Sequence, residues 1–363
     1  MTEQDPLKPI RERIDAIDAE LLQLISERAR CAQEVARVKR EAEPGVEVEF
    51  YRPEREAQIL RKVRDDNPGP LTGEEMARLF REVMSACLAL EQPLNIAYLG
   101  PEGTFTQAAA YKHFGHSVST TPLGAIDEVF REVESGGCQY GVVPIENSTE
   151  GVVNHTLDMF MESPLKICGE VELRIHQHLL GQDVRIDQVE RVYSHAQSLA
   201  QCREWLDAHL PQAERVAVNS NAEAARRASR EPGAAAIAGE TAAEPYGLAI
   251  LQRNIEDHPD NTTRFLVIGR QSVAPSERDK TSLLVSTRNR PGSLYRLLEP
   301  LARAGVSMTR IESRPSHCVN WEYVFFFDVD GHAEQPRLKE ALAALRDEAE
   351  LVKVLGSYPH AVL

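Results

Sequence analysis

The sequence predicts a chain of three parts that differ in fold class. Residues 1–93 are expected to be all-α, residues 94–271 α/β, and residues 279–363 α+β of the ferredoxin-like class. Apolar residues recur every three or four positions in the first part, where strand patterns are almost absent. Short apolar strands, among them Phe265–Ile268, alternate with helical stretches in the second part, which predicts a mostly parallel sheet. In the third part the patterns follow the order β-α-β-β-α-β.

Length and composition are those of a globular protein with several domains. The 363 residues are 42% hydrophobic and 27% charged, so wholesale disorder is not expected. No apolar run approaches the ~20 residues that span a bilayer, and the first residues lack the apolar core of a secretory signal. We therefore expect no membrane association.

Charge and cysteine usage narrow the function classes further. The net charge of −15 argues against nucleic acid as a partner, and anionic substrates would need local cations. The six cysteines form no CxxC pair, and no HExxH motif is present. We expect a cytoplasmic protein with small buried thiols and neither a metal nor an organic cofactor.

The first part predicts three helices, one of them very long. The apolar stripe from Ile10 to Val38 describes one amphipathic helix, which Pro44 and Gly45 should end. A second helix should begin near Arg52-Pro53, and a third should run from Glu74 to Glu91. Because the long helix cannot bury its whole stripe alone, we expect an intertwined helical dimer.

Two cations of the long helix are spaced so that they share one helix face. Arg28 and Lys39 lie within about 20° of each other on the helix, roughly 16 Å apart along its axis. Arg11 falls about 100° away from Arg28, so it could reach only a partner's pocket. A solvated helix with many surface salt bridges is the alternative interpretation.

The stretches "LKPIRERIDAIDAELLQLISERARCAQEVARVK", "FYRPEREAQIL" and "LFREVMSACLALE" closely resemble the all-helical chorismate mutase family. The resemblance implies that Arg28 and the partner's Arg11 bind the two carboxylates of chorismate. It also implies that Lys39 and Glu91 face the ether oxygen and that Glu56 contacts the substrate hydroxyl. The same site would be lined by Arg52, Arg55 and Cys87. Some members have Asp in place of Arg52 and Gln in place of Glu91.

The chemistry of that family fits these residue types. The rearrangement of chorismate is pericyclic, so the protein must hold the folded conformer and stabilise charge on the breaking C–O bond. Glu91 can donate a hydrogen bond only when it is protonated. We therefore hypothesise that mutase activity falls as pH rises.

In the second part, polar residues follow several predicted strands. Hydroxyl or amide groups stand where a strand meets a loop in each of four stretches: "GPEGTF", "VPIENS", "SHAQSLAQC" and "NTTRF". Turns and helix caps use the same residue types. Together the four stretches resemble prephenate dehydratase, whose two lobes are similar to periplasmic binding proteins. The resemblance implies that Thr263 is the essential hydroxyl and that Arg264 organises the site. A proton relay through Glu146 or His195 is left open. The other implied contacts are Thr104, Asn147, Ser148 and Gln201.

The third part resembles the amino-acid-sensing ACT domain, through "NRPGSLYRLL" and "TRIESRPSHCVNWEYVFFFDVDG". The match implies that free phenylalanine binds at a dimer interface through Gly292, Ser293, Leu294, Glu312, Ser313, Arg314 and Pro315. Some relatives have Ala-Leu-Val where this chain has Ser-Leu-Tyr. A purely structural ferredoxin-like lobe is the alternative.

The whole chain thus resembles the bifunctional chorismate mutase/prephenate dehydratases. The resemblance implies conversion of chorismate to prephenate and then to phenylpyruvate, with phenylalanine as feedback inhibitor, in a homodimer or higher homo-oligomer. Two alternatives stay open. One is a dehydratase whose helical part has lost mutase activity, and the other is a non-catalytic sensor of phenylalanine.

Overall fold

A computed structural model describes residues 5, 7–42, 49–287, 290–315 and 323–363. The predicted architecture is confirmed: a helical segment, a two-lobed α/β segment and a ferredoxin-like segment follow one another. Within the described ranges, no helix is both long and apolar enough to cross a membrane.

The helical segment contains α1 (Lys8–Ala42), α2 (Pro53–Asp65) and α3 (Gly73–Glu91). Pro53 occupies the first turn of α2, where its missing N–H costs nothing. Thr72 and Glu75 form a reciprocal capping box at the start of α3. The predicted end of α1 at Pro44-Gly45 lies outside the described residues.

Most of the α1 apolar stripe is exposed in the part of the chain that the structure describes. Ala36 is the one α1 residue that is buried among those described, whereas Ile10 is 59% exposed and Leu24 54% exposed. Helix α1 packs against α3, and the buried Ala36 lies near its C-terminal end. The N-terminal half of α1 therefore presents an uncovered apolar face.

The first α/β lobe is a six-stranded sheet in the order β2-β1-β3-β11-β5, with β4 paired to β3. Its strands are β1 (Asn95–Leu99), β2 (Ser119–Leu123), β3 (Tyr140–Asn147), β4 (Gly151–Val152), β5 (Lys166–Arg174) and β11 (Thr262–Gly269). Its helices are α4 (Phe105–Phe114), α5 (Ile126–Ser135) and α6 (Asn154–Glu162).

The second lobe is a five-stranded sheet in the order β10-β6-β9-β7-β8. Its strands are β6 (His178–Gly181), β7 (Arg191–His195), β8 (Glu214–Val218), β9 (Ala234–Ala238) and β10 (Ala249–Gln252). Its helices are α7 (Ala196–Gln201), α8 (Arg203–His209) and α9 (Asn221–Ala228).

The expectation of a mostly parallel sheet was wrong, because both lobes are mixed. In the first lobe β1 is parallel to β2 and β3, but β11 runs antiparallel to β3 and β5. The chain leaves the first lobe after β5, builds the second lobe, and returns as β11 from the opposite direction. The central strand β11 is buried on both faces, as its run of four apolar residues predicts.

The ferredoxin-like segment has the sheet order β13-β14-β12-β15. Its elements are β12 (Asp279–Thr287), α10 (Ser293–Arg303), β13 (Met308–Pro315), β14 (Tyr323–Asp330), α11 (Pro336–Glu348) and β15 (Leu351–Pro359). Helices α10 and α11 cover one face through a cluster that includes Leu297, Leu301 and Leu342.

The other face of this sheet packs directly on the first α/β lobe. Leu284, Phe326 and Leu355 belong to the same hydrophobic cluster as Phe160 and Leu266. A Cβ atom on Gly356 would collide with the backbone of Ile167, so the two sheets approach as closely as a glycine permits. The two segments therefore share one core.

The last residues of the chain return to the helical segment. Val362 and Leu363 pack against a small cluster formed by Leu60, Ala77 and Met84 of α2 and α3. All three segments thus meet at one junction.

Cysteine burial agrees with the sequence analysis at four of five described positions. Cys87, Cys138, Cys168 and Cys202 are buried free thiols, whereas Cys31 is exposed. Cys318 lies outside the described residues. Among the residues described, no group of three His, Cys, Asp or Glu side chains could hold a metal ion.

Candidate active sites and effector region

Helices α1, α2 and α3 enclose a cavity of about 610 Å³. The cavity brings together seven of the eight residues implied for the mutase site: Arg28, Lys39, Arg52, Arg55, Glu56, Cys87 and Glu91. Further lining residues that sequence reasoning did not single out include Cys31, Val35, Phe50 and Tyr51. Four cations around one cavity form a suitable site for a dicarboxylate.

Burial and neighbouring charges set the protonation states of two groups in this cavity. Burial raises the pKa of Glu91 against the opposing effect of Lys39 and Arg28. Burial lowers the pKa of Lys39, and Arg52 lowers it further. The Lys39 Nζ lies 5.2 Å from the centre of the Phe50 ring and donates to the Glu49 carbonyl at 3.3 Å. The shift of Glu91 favours its protonated, neutral form, and the shift of Lys39 favours its neutral amine.

Arg11 lies outside this cavity. Its guanidinium is 66% exposed and pairs with Asp5 at 3.2 Å, near the start of α1. Within one chain, Arg11 and Arg28 are therefore not brought together, in agreement with their separation around the helix.

Arg81 is a residue near this site that sequence reasoning missed. It is 7% exposed on α3 and forms an ion pair with the Glu56 carboxylate on α2. Burial lowers the pKa of Arg81 to about 10, with Tyr51 and Glu82 acting in the opposite direction. The guanidinium is therefore charged at neutral pH.

A second polar cluster lies where β3 and β11 leave the first lobe. The Asn147 amide donates to Thr263 Oγ1 at 2.8 Å and to Asn261 Oδ1 at 2.8 Å. The Asn261 amide in turn donates to Gln201 Oε1 of the second lobe at 3.3 Å. A chain of hydrogen bonds therefore links Thr263 to both lobes. Asn261, the first residue of the "NTTRF" stretch, is a member of the cluster.

Amides and hydroxyls of the second lobe extend the network. Gln177 donates to Gln201 at 3.3 Å and to Ser198 Oγ at 3.1 Å. Asn221 donates to Ser198 Oγ at 2.9 Å and accepts from the backbone N–H of His195 at 3.1 Å. The network holds the start of α7, where His195 is exposed. Neither Gln177 nor Asn221 belongs to the stretches that carry the resemblance.

Thr104 and Ser148 serve local roles in this structure. The Thr104 hydroxyl donates to the Leu99 carbonyl at 3.1 Å, before α4 begins. Ser148 Oγ accepts from the Thr262 N–H at 3.0 Å and fixes the start of β11. The intervening "GPEGTF" loop touches the second lobe, since a Cβ on Gly103 would meet Ala242.

Arg264 and Glu146 face away from the Thr263 cluster. The Arg264 guanidinium binds Glu170 at 2.9 Å and Asp328 at 2.6 Å, between the first lobe and the ferredoxin-like sheet. Glu146 pairs with Arg310 of β13 at 3.1 Å. Thr263 and Arg264 are adjacent on a strand, so their side chains project to opposite faces. Two of the eight residues implied for the dehydratase site thus lie at a domain contact.

The residues implied for the effector site fall into two groups. Gly292 has φ +78° at the start of α10, and Ser293 lines a cavity of about 500 Å³ with Thr287, Arg290, Pro291, Arg296, Glu348, Ala349 and Glu350. Leu294 beside it is 38% exposed. The second group, Glu312 to Pro315, lies on the edge strand β13. There Arg314 binds Asp158 of α6 at 2.7 Å, so it contacts the first lobe.

Comparison with known proteins identifies three family models along the chain. Chorismate mutase type II matches residues 10–92, prephenate dehydratase matches 96–273, and the ACT domain matches 281–347. The ferredoxin-like segment is therefore called the ACT segment below.

Relatives and solved structures agree with these matches. A protein named bifunctional chorismate mutase/prephenate dehydratase from Stutzerimonas stutzeri is 62% identical over 100% of both chains. The crystal structure of prephenate dehydratase in complex with L-Phe from Arthrobacter aurescens is 34% identical, with a TM-score of 0.68 over 73% of this chain and 90% of that one. A structure described as GqqA, a novel type of quorum quenching acylase, is 32% identical, with a TM-score of 0.69 over 74% and 98%. With the two polar sites above, the full-length identity shows that this chain belongs to the family of bifunctional chorismate mutase/prephenate dehydratases.

Proposed function

We propose that this chain converts chorismate to prephenate in the helical cavity and prephenate to phenylpyruvate at the Thr263 cluster, and that phenylalanine inhibits it. The single observation that carries the proposal is the convergence of Arg28, Lys39, Arg55 and Glu91 on one cavity. We propose domain limits of 1–93, 94–271 and 279–363 for the mutase, dehydratase and ACT parts.

In the proposed mutase site, the residues act by orientation and charge. Arg28 and the Arg11 of a second chain bind the two carboxylates, which folds chorismate into the reactive conformer. Lys39 and protonated Glu91 donate to the ether oxygen as the C–O bond breaks. Glu56 accepts a hydrogen bond from the substrate hydroxyl, and Arg52, Arg55 and Cys87 complete the walls. No nucleophile and no cofactor are needed.

In the proposed dehydratase site, Thr263 hydrogen-bonds the leaving hydroxyl of prephenate. Its oxygen accepts from Asn147, so its own O–H proton is available for donation. Loss of water and carbon dioxide makes the ring aromatic, which drives the reaction. Asn147, Gln201, Ser148 and Thr104 orient the substrate.

The position of Glu146 favours His195 for any proton relay to Thr263. Glu146 is engaged with Arg310 on the ACT side, whereas His195 is exposed at the end of β7. Arg264 contributes by holding β11 rather than by touching the substrate. These roles modify the functions that the resemblance implied for both charged residues.

Phenylalanine is proposed to bind the ACT segment through Gly292, Ser293 and Leu294, with Glu312, Ser313, Arg314 and Pro315 of a neighbouring element. The L-Phe complex of the Arthrobacter aurescens relative supports a phenylalanine site. Backbone N–H groups at the start of α10 suit a carboxylate. The contacts of Arg314 and Arg264 with other segments offer a route from this site to Thr263.

A homodimer or higher homo-oligomer in the cytoplasm is part of the proposal. The uncovered apolar face of α1 would bury against a second copy, and that copy would supply Arg11. The measurement of mass in solution tests this directly, since a monomer would leave the mutase site without its second arginine.

The decisive experiment incubates the purified full chain with chorismate and follows prephenate and phenylpyruvate separately, with and without phenylalanine. We expect phenylpyruvate to form and phenylalanine to suppress it. Accumulation of prephenate alone would remove the proposed dehydratase site. Conversion of prephenate without conversion of chorismate would identify a helical part without mutase activity. Phenylalanine binding with no turnover of either compound would identify a sensor.

A further inference from the structure

Arg81 lies directly behind one wall of the mutase cavity. It does not line the cavity of about 610 Å³, but it lines a smaller space of about 30 Å³ on the far side of Glu56. Glu56 lines both spaces, so it connects Arg81 with the mutase cavity. Only 14% of the Glu56 side chain is exposed, compared with 9% for Arg81.

Glu56 is the carboxylate in direct contact with the Arg81 guanidinium. Glu82, the next residue on α3, binds both the ring and the backbone N–H of His116, at 2.9 and 3.0 Å. His113 is kept neutral, because burial and Arg81 lower its pKa to about 3. Its ring nitrogen instead pairs with the Tyr51 hydroxyl at 2.9 Å. A buried guanidinium in this setting requires one anion, and Glu56 is in contact with it.

The Glu56 carboxylate must also be kept from pairing with the cations that line this cavity. Arg28, Lys39, Arg52 and Arg55 line the same space, and each could pair with an unrestrained Glu56. Such a pair would remove the acceptor from the substrate hydroxyl and neutralise a cation needed for a substrate carboxylate. A fixed cation behind Glu56 prevents both losses, because it holds the carboxylate against the wall.

We propose that Arg81 is a positioning residue for chorismate binding, which holds the Glu56 carboxylate oriented so that it accepts the substrate hydroxyl. This inference rests on the proposed placement of chorismate in the helical cavity. Arg81 acts through Glu56 and does not touch the substrate, so its loss affects ground-state binding more than the chemical step.

The test is a double-mutant cycle on mutase kinetics in the full chain, with the variants Arg81→Gln, Glu56→Gln and the combination of both. Hydrogen bonds to charged groups contribute about 1.5–3 kcal/mol, so we expect each single variant to raise the KM for chorismate about 10-fold or more with a small change in kcat. The double variant should be no worse than Glu56→Gln alone, because both changes remove one interaction. Arg81→Lys should restore most of the affinity.

Two controls separate positioning from general loosening of the structure. Dehydratase activity on added prephenate reports whether each variant is folded. Arg61, on α2 near the same junction, donates to the carbonyls of Ser276 and Arg278 at 2.6 and 2.8 Å. Arg61→Gln removes contacts between segments without altering the cavity, and we expect the KM for chorismate to stay unchanged.

The outcomes that overturn the inference are distinct from those that overturn the proposed function. A normal KM in Glu56→Gln removes the proposed role of Glu56 and the inference with it. A raised KM in Glu56→Gln with a normal KM in Arg81→Gln overturns the inference alone, as do strictly additive effects or an equal effect of Arg61→Gln. If Arg81→Gln does not fold, a KM for the double variant well above that of Glu56→Gln overturns it.

Discussion

Arg264 and Asp328 form a buried ion pair, with 2.6 Å between Nη1 and Oδ2, that joins strand β11 of the dehydratase part to strand β14 of the ACT part. Arg264 is also bonded to Glu170 and to the Tyr358 hydroxyl. Its neighbour in sequence, Thr263, faces the polar cluster between the lobes. A displacement of the ACT sheet therefore acts on the backbone next to Thr263.

The first prediction is that Asp328→Asn weakens inhibition by phenylalanine. Without the carboxylate, β11 is no longer tied to β14 by this pair, and coupling energies between sites are typically about 1–3 kcal/mol. We expect the phenylalanine concentration for half-inhibition to rise at least about 5-fold, with mutase activity unchanged. Arg185→Gln, which removes an exposed pair with Asp187, is the control. Unaltered inhibition in Asp328→Asn would remove this route of coupling.

The same pair predicts a dependence of stability on acid pH. Burial alone would raise the pKa of Asp328, but Arg264 and a hydrogen bond from Ser282 lower it below its usual value. The stabilisation is therefore complete above the usual aspartate pKa of about 3.9 and is lost as pH falls through the lower folded-state value. Breaking such a pair costs about 3 kcal/mol. When the free energy of unfolding is measured against pH, the values for wild type and Asp328→Asn should converge in acid. A difference that stays constant with pH would contradict the assignment.

Mutase activity is expected to fall as pH rises, because Glu91 donates only in its protonated form. Burial raises the pKa of Glu91, so the protonated form persists to higher pH than for an exposed glutamate and then is lost. Glu91→Gln keeps a donor that does not titrate, and its mutase profile should be flat over the range where wild type declines. Initial rates with chorismate across pH provide the measurement. A variant profile identical to that of wild type would exclude Glu91 as the donor.

Thr263→Val should abolish most dehydratase activity and spare the mutase. Proton donation in a transition state typically contributes 10²–10⁴-fold, so we expect a loss of at least about 100-fold in kcat with prephenate. Thr263→Ser keeps the hydroxyl and should retain much of the rate. Thr262→Val is a matched control, since the contact recorded for Thr262 with Ser148 uses its backbone N–H. Equal losses in Thr262→Val and Thr263→Val would indicate damage to the strand instead.

Mixing two inactive variants tests whether Arg11 acts in a second chain. Arg11→Ala and Arg28→Ala should each have little mutase activity alone. A mixed dimer has one site with both arginines intact, so random exchange should restore roughly a quarter of wild-type activity. The variants are denatured and refolded together, and mutase rates are compared with those of each refolded alone. Absence of any recovery, with dimers present, would place both arginines in the same chain.

Short-range patterns predicted the elements of this fold better than their contacts. The stripe from Ile10 to Val38 and the apolar run Phe265–Ile268 identified α1 and β11, because helix and strand periodicities are read within a few residues. The mixed direction of the sheets depends on the excursion of the chain between β5 and β11, and periodicity carries no information about it. The shared core likewise depends on contacts that are distant in sequence.

For the candidate sites, sequence patterns likewise identified the stretches that carry them better than the contacts of individual side chains. The motif around Thr263 placed Arg264 in the right stretch but did not show which face its guanidinium occupies. Strand alternation could have indicated that the two residues diverge. Arg81 was missed because its partner Glu56 lies 25 positions earlier in the chain, on another helix. The available signal was its charge near the start of the otherwise mostly apolar stretch from Leu79 to Leu90.

The core shared by the dehydratase and ACT parts has a thermodynamic consequence. Leu284, Phe326 and Leu355 cannot separate from Phe160 and Leu266 without exposing apolar surface to water. We therefore expect the two parts to melt as one cooperative unit. A ligand that binds the folded ACT part then stabilises the dehydratase part by the same free energy, set by its concentration relative to its Kd. The amino acid at the end of this reaction sequence would thus protect the enzyme from heat while it slows catalysis.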